Sequence, residues 1–568
     1  MSIGSIVLGL ALLAGPTQEE HATDVRELTH EQLTVELSAL AEQHPDLASR
    51  HRVGLSREGR EIVALRVTAA KEPKRHPALL LVANLEGPRV FESGVALHHA
   101  RKLVEGYATS DAIKALLDTT VVWVIPRANP DAAEARFLEP RAERWTASTG
   151  VDDDRDGRSG EDPAADVNGD GLVTAMRVPD PDGTWIEDPA DARVLIEADR
   201  TKGRRGKWKL LSESRDLDGD EEAGEDAPGN TRMDRNFAAG WEEHAAAAGL
   251  FPTDEPEARA LCEFVMAQRN LVLVVAYDGQ DNLVEKPESV DDDASPVKRI
   301  PSAGLLASDA KLVEELGRRY REATKNESKG SGEDAGTFTR WCYEHRGLFV
   351  LQAVLWTLPT EAPEEGAAEE AGETKEEEKE AEKPKDEPSG DAKHLLWIDA
   401  TGESWRFLDW TPFEHPELGP VEIGGFAPFA RLVPPQDSWQ PIADAHFDWF
   451  VGIGVLAPRV ELASCTKERV GPGVWEVKAA VTNTGYLPLL SRSMRRTRTT
   501  RPARVRLLLP EAATLLSGER QALIEDLAGT GGRSELTWLV LGPAEMEIAV
   551  SVDSDHAGES LETAEVIQ

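Results

Sequence analysis

Cysteine is scarce in this chain, with three residues among 568. Cys262, Cys342 and Cys465 lie far apart and lack the close spacing of a cysteine metal site. Apolar residues make up 40% of the sequence, which is enough to bury cores without covalent cross-links. The pattern therefore excludes a disulfide framework and predicts three buried free thiols.

Basic residues are also in short supply. The chain has 63 Lys and Arg against 103 Asp and Glu, and its formal net charge is −40. A protein with this excess of negative charge repels the phosphate backbone of nucleic acids. Nucleic acid is therefore excluded as a partner.

Long apolar runs are absent from the sequence except near its start. Residues 3–14 form an apolar stretch before Pro16, which is too short to span a bilayer. It resembles the core of a signal peptide, although the usual Lys or Arg is missing; the alternative is a disordered apolar tail. We expect residues 1–15 to be a signal peptide, the protein to be exported to the periplasm or the extracellular space, and no membrane span.

One segment lacks aromatic residues altogether. Residues 359–393 are mainly Glu, Lys, Ala and Pro, with a large excess of acid. Such a composition cannot bury a core, so it predicts a disordered acidic insert. Apolar residues resume at 395–398, which indicates that the insert interrupts one domain, residues 26–457, rather than separating two domains.

Acidic residues recur at alternate positions in an insertion at residues 150–229. Three short runs space their oxygens as calcium loops do, and two of them have glycine where the chain must bend sharply. None has the glutamate expected at position twelve, and the alternative is acidic turns held by their own side chains. The possible calcium ligands are Asp152, Asp154, Asp156, Asp162, Asp166, Asn168, Asp170, Asp216, Asp218, Asp220 and Asp226.

The C-terminal residues change to short β-type segments. Residues 474–481, 505–509, 536–541 and 546–552 are rich in Val and Leu and are separated by Gly, Pro and Asn. This pattern predicts a β-sandwich over residues 458–568. Between these segments lies an arginine cluster, which is predicted either to dock the acidic insert or an anionic surface, or to be a solvated loop. Its members are Arg492, Arg495, Arg496, Arg498, Arg501 and Arg504.

Several apolar strands and short motifs follow one another in residues 26–457. In chain order they are the strand 78–83, a turn and a helix from Val90, the strand 121–125 with Asn129-Pro130-Asp131, Met233-Asp234-Arg235-Asn236-Phe237, the strand 271–277, and Trp341-x-Tyr343. Together they resemble the zinc carboxypeptidases, the carboxypeptidase A-like metallopeptidases. The resemblance implies an α/β fold, a mixed twisted sheet flanked by helices, with a cleft at the carboxyl ends of the strands.

The functional positions implied by this resemblance carry unusual residues. The three zinc-ligand positions hold Glu86, Arg89 and Asp278. Val354 stands at the general-base position, and Asp234 and Arg235 stand at the substrate-carboxylate pair. A guanidinium has no lone pair for a metal, and a valine accepts no proton. The family implies zinc, but these residues predict that zinc is not bound and that hydrolysis is lost. Arg235 remains a candidate anchor for a substrate carboxylate; the alternative is an internal ion pair with a neighbouring acid.

Arg89 brings a positive charge to the place where the family has its metal. We expect its guanidinium to tie Glu86 and Asp278 together, because arginine makes paired bonds to carboxylates. The alternative is a solvated cleft in which these charges pair only weakly.

Three further alternatives keep a metal or a base. The first is an oxygen-only calcium or magnesium site, the second is zinc bound in a shifted register on the next helix, and the third is a substitute base. The calcium or magnesium site would use Glu86, Glu92, Asp234 and Asp278. The shifted zinc site would use His98 and His99, and the substitute base would be Glu422.

Three functions follow from these patterns. The favoured one is an exported, catalytically inactive carboxypeptidase-like protein that binds peptide or cell-wall-derived ligands, with Arg235 as carboxylate anchor. The second is an active zinc metallocarboxypeptidase with atypical ligands that removes C-terminal residues from peptides. The third is a calcium-stabilised structural protein. The first is favoured because the ligand set and the base are lost together.

Overall fold

The structure, a computed structural model, describes residues 25–147, 163–215, 229, 231–293, 300–361 and 388–566. The predicted signal peptide, the first and third acidic runs and most of the acidic insert lie outside these residues. The helices are α1 (His30–Gln43), α2 (Val90–Gly106), α3 (Asp111–Thr119), α4 (Pro130–Glu134), α5 (Pro256–Ala267), α6 (Ala307–Thr324), α7 (Phe338–Arg346), α8 (Gly390–Thr401), α9 (Trp439–Gly454) and α10 (Arg492–Thr497).

The strands fall into an N-terminal and a C-terminal set. The first set is β1 (Ala48–Leu55), β2 (Glu61–Val67), β3 (Ala78–Ala83), β4 (Val121–Ile125), β5 (Ala175–Pro179), β6 (Trp185–Glu187), β7 (Leu195–Glu197), β8 (Trp208–Ser212), β9 (Leu271–Tyr277), β10 (Phe349–Ala353), β11 (Phe407–His415) and β12 (Gly419–Phe426). The second set is β13 (Val460–Gly471), β14 (Val474–Asn483), β15 (Ala503–Leu508), β16 (Thr514–Ser517), β17 (Gln521–Ile524), β18 (Gly532–Leu541), β19 (Ala549–Ser554), β20 (Gly558–Thr563) and β21 (Glu565–Val566).

A mixed six-stranded sheet, in the order β1-β2-β4-β3-β9-β10, forms the centre of the N-terminal part. Strands β4, β3, β9 and β10 run parallel, whereas β1 and β2 are antiparallel to their neighbours. Side chains alternate along β3, so Leu79 and Leu81 pack with α2 and α9 while Leu80 and Val82 pack with α5 and α7. Helices on both faces explain the unbroken apolar run of β3, and they confirm the predicted α/β class.

Most predicted boundaries in this sheet match the structure. Strands β3, β4 and β9 begin and end at the predicted residues. Helix α2 starts at Val90, as expected, and ends at Gly106. Helix α5 starts at Pro256, because a proline is suited to the first turn of a helix.

A second sheet, in the order β11-β12-β5-β8-β6-β7, joins two distant parts of the chain. Strands β5 to β8 come from the region predicted as a calcium-loop insertion, and β12 pairs with β5. The described part of the insertion is therefore built into a sheet and is more than a set of turns. The sequence did not indicate these strands, which are three to five residues long, because runs so short carry little periodicity.

The C-terminal strands form two facing sheets. Their orders are β16-β18-β14-β13-β21 and β17-β15-β19-β20, antiparallel apart from the pairing of β21 with β13. Val477 and Trp538 of the first sheet share one core with Val505 and Val550 of the second. This arrangement confirms the predicted β-sandwich.

Helix α10 holds the sandwich against the α/β part. The main-chain N–H groups of Arg492 and Ser493 donate to the Asp309 carboxylate on α6, at 2.9 and 3.2 Å. The guanidinium of Arg492 also pairs with Asp292, at 3.6 Å. Part of the arginine cluster therefore serves this internal contact and is not a wholly solvated loop.

The three cysteines are buried and unpaired, as predicted. Burial raises the pKa of the Cys262 thiol to about 12, which leaves it protonated at neutral pH. Within the described ranges, no helix is both long and apolar enough to cross a membrane.

Candidate functional site

The carboxyl end of β3 leads into the turn that carries the first two zinc-ligand positions, those of Glu86 and Arg89. Asn84 begins this turn with a left-handed φ of 59°, which asparagine tolerates better than most residues. Its side-chain amide donates to the main-chain oxygens of Glu86, Gly87 and Arg89, at 3.1, 2.8 and 3.1 Å. One asparagine therefore sets the backbone that presents Glu86 and Arg89 to the cleft.

Arg89 precedes α2 and is buried between two glutamates. Its Nε donates to Glu86 Oε2 at 3.0 Å, and its Nη1 donates to Glu92 Oε1 at 3.5 Å. Burial lowers the pKa of Arg89, but the charges of Glu86, Glu92 and Asp278 outweigh that effect and raise it overall. The guanidinium is therefore a permanent cation at this place.

Asp278 directly follows β9 and faces the same turn, but it bonds differently from our expectation. Both of its carboxylate oxygens accept the main-chain N–H of Glu86, at 3.1 and 3.0 Å. The predicted bridge from Arg89 to Glu86 and Asp278 is therefore wrong in its second partner, which is Glu92. The physical reason is that Glu92 lies three residues beyond Arg89 at the start of α2, on the same helix face.

Several acidic side chains surround the single guanidinium of Arg89. Burial raises the pKa of Glu92 to about 7, with Arg89 opposing the shift. Burial also raises the pKa of Asp234 to about 8. The pKa of Asp278 is raised well above its usual range, first by burial and then by repulsion from Glu86 and Asp234. Protonation at neutral pH therefore reduces the negative charge that one guanidinium has to balance.

Arg235 lies beside this cluster and lines a cavity of about 520 Å³. Arg232 and Trp241 line the same cavity, and a much smaller pocket joins Arg235 and Asp234 to Glu86. Nη2 of Arg235 donates to Glu333 Oε2 at 2.6 Å, and its side chain is only 14% exposed. The structure thus brings both members of the predicted Asp234-Arg235 pair to the cleft.

Asp234 has a second role in this region. Its Oδ1 accepts the main-chain N–H of Phe338 at 2.8 Å, at the first residue of α7. An acceptor oxygen at a helix start satisfies a free N–H group. Asp234 therefore positions α7 against the short turn Met233–Arg235.

The outer wall of the cavity is a loop with a strained backbone. His244, Ala247 and Thr253 have φ values of 65°, 63° and 61°. Asn236 Nδ2 and Trp241 Nε1 both donate to Ala248 O, at 2.8 Å each, and hold the loop in place. A left-handed backbone conformation is costly for residues other than glycine, and it persists only where surrounding contacts fix it. The backbone of this wall is therefore fixed by its contacts with Asn236 and Trp241.

A family model described as zinc carboxypeptidase matches residues 33–169 and 200–374 of the chain. The chain belongs to the zinc carboxypeptidase family. Residues 459–565, which form the sandwich, match a family described only as a domain of unknown function.

Individual relatives match shorter parts of the chain. A zinc carboxypeptidase of Saccharothrix mutabilis subsp. capreolus is 28% identical over 130 residues, 22% of this chain and 30% of that protein. Carboxypeptidase A4 of Mus musculus is 31% identical over 113 residues, 20% of this chain and 27% of that protein. The chain thus spans about a third or less of the length of these curated relatives.

Two solved structures resemble part of the chain. The thrombin activatable fibrinolysis inhibitor is 12% identical with a TM-score of 0.38, covering 60% of this chain and 68% of its own. The carboxypeptidase A of Helicoverpa armigera covers the same shares at 14% identity and a TM-score of 0.37.

The residues at the family's zinc positions do not fit zinc in this carboxypeptidase family member. Between Glu86 and Glu92 the guanidinium of Arg89 already supplies a positive charge and offers no lone pair. A second cation at hydrogen-bond distance from it would be strongly repelled. Among the described residues, no group of three His, Cys, Asp or Glu side chains is arranged to hold a metal ion.

The residue at the general-base position and the residues considered as substitute zinc ligands or base have bonding partners of their own. Val354, at the general-base position, is fully buried, and its carbonyl accepts Asn326 Nδ2 at 2.7 Å. His98 pairs with Asp444 at 3.0 Å, and the buried His99 bonds the Tyr277 hydroxyl at 3.1 Å. Glu422 accepts from Arg177 Nε at 2.6 Å in the second sheet.

One acidic run of the calcium prediction is described by the structure. The Asp166 carboxylate accepts the N–H groups of Gly169, Asp170 and Gly171, at 2.7, 3.1 and 2.8 Å. Asn168 Oδ1 accepts the N–H of Asp170, also at 2.8 Å. These are bonds of the kind that hold acidic turns. The other two runs, with Asp152, Asp154, Asp156, Asp162, Asp216, Asp218, Asp220 and Asp226, lie outside the described residues.

Three residues of the site had no clear signal in the sequence. Arg232 lies in the same segment as Arg235, whereas Glu333 reaches the cavity from a segment distant in sequence, and no motif marked either of them. Trp145 lies 5.0 Å from the Arg232 guanidinium, over which it forms a cation–π contact. The short spacing between Arg232 and Arg235 was the one available hint.

Proposed function

We propose that this zinc carboxypeptidase family member is an exported protein that has lost hydrolysis and binds peptides or cell-wall-derived ligands through a carboxylate. The observation that carries the proposal is the Arg89 guanidinium, held between Glu86 and Glu92 at the metal position. The rest of the cleft supports binding without chemistry.

Hydrolysis of a peptide bond by this family requires an activated water. Zinc lowers the pKa of its bound water, and a carboxylate accepts the proton. Neither function has a residue to carry it here, since Arg89 stands at a ligand position and Val354 at the base position. Losing both removes two independent contributions to the rate, so a single rescue mutation would not restore it.

Binding requires less, and the residues for it are present. Arg235 is shielded from solvent at the edge of a cavity of about 520 Å³, large enough for one or two amino-acid residues. Its guanidinium suits a carboxylate through two parallel hydrogen bonds. Arg232 adds a second positive charge to the same cavity. Peptide C-termini and peptide-like fragments of cell walls both end in such a carboxylate.

Export is part of the proposal and rests on the N-terminal sequence. The apolar residues 3–14 support a signal peptide, and they lie outside the described residues. N-terminal sequencing of protein secreted from cells that express the full chain tests this part. A mature protein that still begins at Met1 would contradict it.

Metal analysis with a peptidase assay tests the loss of hydrolysis. We expect purified protein to contain far less than one zinc per chain and to leave N-benzoylglycyl-phenylalanine uncleaved. One zinc per chain together with cleavage that a chelator abolishes would overturn the proposal in favour of an active peptidase with atypical ligands.

Equilibrium dialysis tests the binding site. The probe is a pool of N-acetylated tripeptides with free C-terminal carboxylates, compared with the same pool as C-terminal amides. We expect retention of the carboxylate pool, its loss in Arg235→Ala, and no change in the exposed control Arg318→Ala. Equal retention by Arg235→Ala and the unaltered protein would contradict the anchor role.

A further inference from the structure

The segment between α6 and α7 crosses the mouth of the Arg235 cavity and is fixed on both sides of Glu333. On one side, Ser331 N–H donates to Gly279 O at 3.1 Å, and Gln280 Nε2 donates to Ser331 Oγ at 2.9 Å. On the other side, Gly336 N–H donates to Ala239 O at 2.8 Å. Residues 332–335 therefore form a short bridge whose ends are held.

The two partners of the Arg235–Glu333 ion pair differ in exposure. The Arg235 side chain is 14% exposed, whereas the Glu333 side chain is 74% exposed, and their atoms are 2.6 Å apart. Glu333 thus reaches down from solvent and places its carboxylate on a guanidinium at the cavity edge. A second bond, from Arg235 Nη1 to Ala335 O at 3.4 Å, comes from the same bridge.

We infer that Glu333 is an internal competitor for the carboxylate site: its side chain occupies Arg235 until the carboxylate of a ligand displaces it. This inference rests on the proposed function, since it concerns the affinity of the same site. Glu333 thereby becomes a residue that sets both the affinity of the site and its preference for carboxylate over neutral ligands.

The energetics favour displacement over permanent closure. An ion pair with one exposed partner contributes little, because water and salt compensate the charge of the released carboxylate. A ligand carboxylate that enters the cavity is better shielded and interacts more strongly with Arg235. Occupation by Glu333 lowers the fraction of competent sites, so the apparent Kd rises by the inverse of that fraction.

Gly332 permits the bridge to take this path. Its φ is +75°, and no atom beyond its chain neighbours lies within 4 Å of where its Cβ would be, so the residue is a backbone turn with free space around it. The Glu333 side chain is itself 74% exposed, which leaves it room to turn from Arg235 into solvent.

The next residue provides a matched control. Asp334 is 60% exposed and pairs with Arg340 at 2.9 Å instead of Arg235. Glu333→Gln and Asp334→Asn remove the same charge from adjacent positions of one bridge. Only the first removes the competitor, whereas both change the general electrostatic attraction of the cavity for anions.

The experiment measures the Kd of the carboxylate tripeptide pool for the unaltered protein, Glu333→Gln and Asp334→Asn, at low and at physiological salt. We expect Glu333→Gln to bind about two- to fivefold more tightly than Asp334→Asn, with the larger ratio at low salt. Thermal unfolding checks that all three proteins are folded. Equal Kd values in Glu333→Gln and Asp334→Asn would overturn the competitor role while leaving the proposed binding function intact. Failure of all three proteins to bind would overturn both.

Discussion

Two arginines in the same cleft make a useful comparison. Arg89 is held between Glu86 and Glu92, which are both largely removed from water, whereas Arg235 is held by the exposed Glu333. The first is surrounded by acids whose charge it must balance, and the second faces a cavity lined by Arg232 as well as by the acids Glu242 and Asp334.

This difference in burial distinguishes an arginine with a structural role from one that is free to bind a ligand. Removing one partner of a buried ion pair leaves a charge that water cannot reach, so the arrangement persists for structural reasons. Removing one partner of an exposed pair costs little, so that contact is free to exchange with a ligand. Under the proposed function, the metal position of the family therefore serves the scaffold, and the anchor position keeps its access.

The largest effect is expected for Arg89→Met. Loss of the guanidinium leaves Glu86 and Glu92 without their cation, and the free energy of unfolding should fall by about 3–5 kcal/mol. Urea denaturation at neutral pH measures the change. The control is Arg318→Met on the exposed face of α6, and a loss no larger than in that control would show that Arg89 is not a structural cation.

A smaller, pH-dependent effect is expected for Asp234→Asn. Burial raises the pKa of Asp234 to about 8 in the folded protein, against an unfolded value of about 4. The folded state thus keeps a proton that the unfolded state has lost, so this contribution to stability is full below about pH 4 and disappears as the pH rises toward 8. Asparagine has no proton to lose and retains an oxygen for the Phe338 N–H.

The advantage of Asp234→Asn over the parent should therefore grow by about 1–3 kcal/mol between pH 5 and pH 8. Urea denaturation across this range measures it, with the exposed Asp334→Asn as the matched control. A difference that stays constant with pH would mean that Asp234 is ionised in the fold.

An intermediate effect is expected for Gly279→Ala. An added Cβ would lie 2.1 Å from Glu86 Oε2, so Glu86 must move away from Arg89. We expect a loss of about 1–2 kcal/mol in the free energy of unfolding, since overpacking and a weakened ion pair act together. Gly390→Ala is the control, because its Cβ would meet nothing within 4 Å. Similar values for the two variants would argue against a tightly packed Glu86.

The smallest change in stability is expected for Arg235→Met. Its partner Glu333 is exposed, so the free energy of unfolding should fall by less than about 1 kcal/mol. Binding of carboxylate-ended peptides should be lost all the same. A loss of stability comparable to that of Arg89→Met would remove the distinction between the two arginines.

Much of the frame was predictable because its signals are local. The apolar runs of β3, β4 and β9 and the start of α2 depend on short stretches of sequence, and the structure places these elements at the predicted residues. The short strands β5 to β8 were missed, because their pairing with β12 lies in contacts between segments far apart in the chain.

The sequence predicted which residues form the candidate site better than it predicted the bonds between them. The motif order brought Glu86, Arg89 and Asp278 to one place, and the structure agrees that they lie together. The second partner of Arg89 was wrong, because the choice between Glu92 and Asp278 depends on the direction of a side chain at the start of a helix. Glu333 was missed, since its approach to Arg235 spans 98 residues.

By itself, then, the sequence determined which chemical groups occupy the family's positions: a guanidinium and carboxylates instead of a zinc-ligand set, and a valine instead of a base. Only the tertiary structure decided which carboxylates hold Arg89 and which acid covers Arg235. The reason is that residue type fixes the charge and the possible ligands of a side chain, whereas its burial and its partner depend on the packing of distant segments.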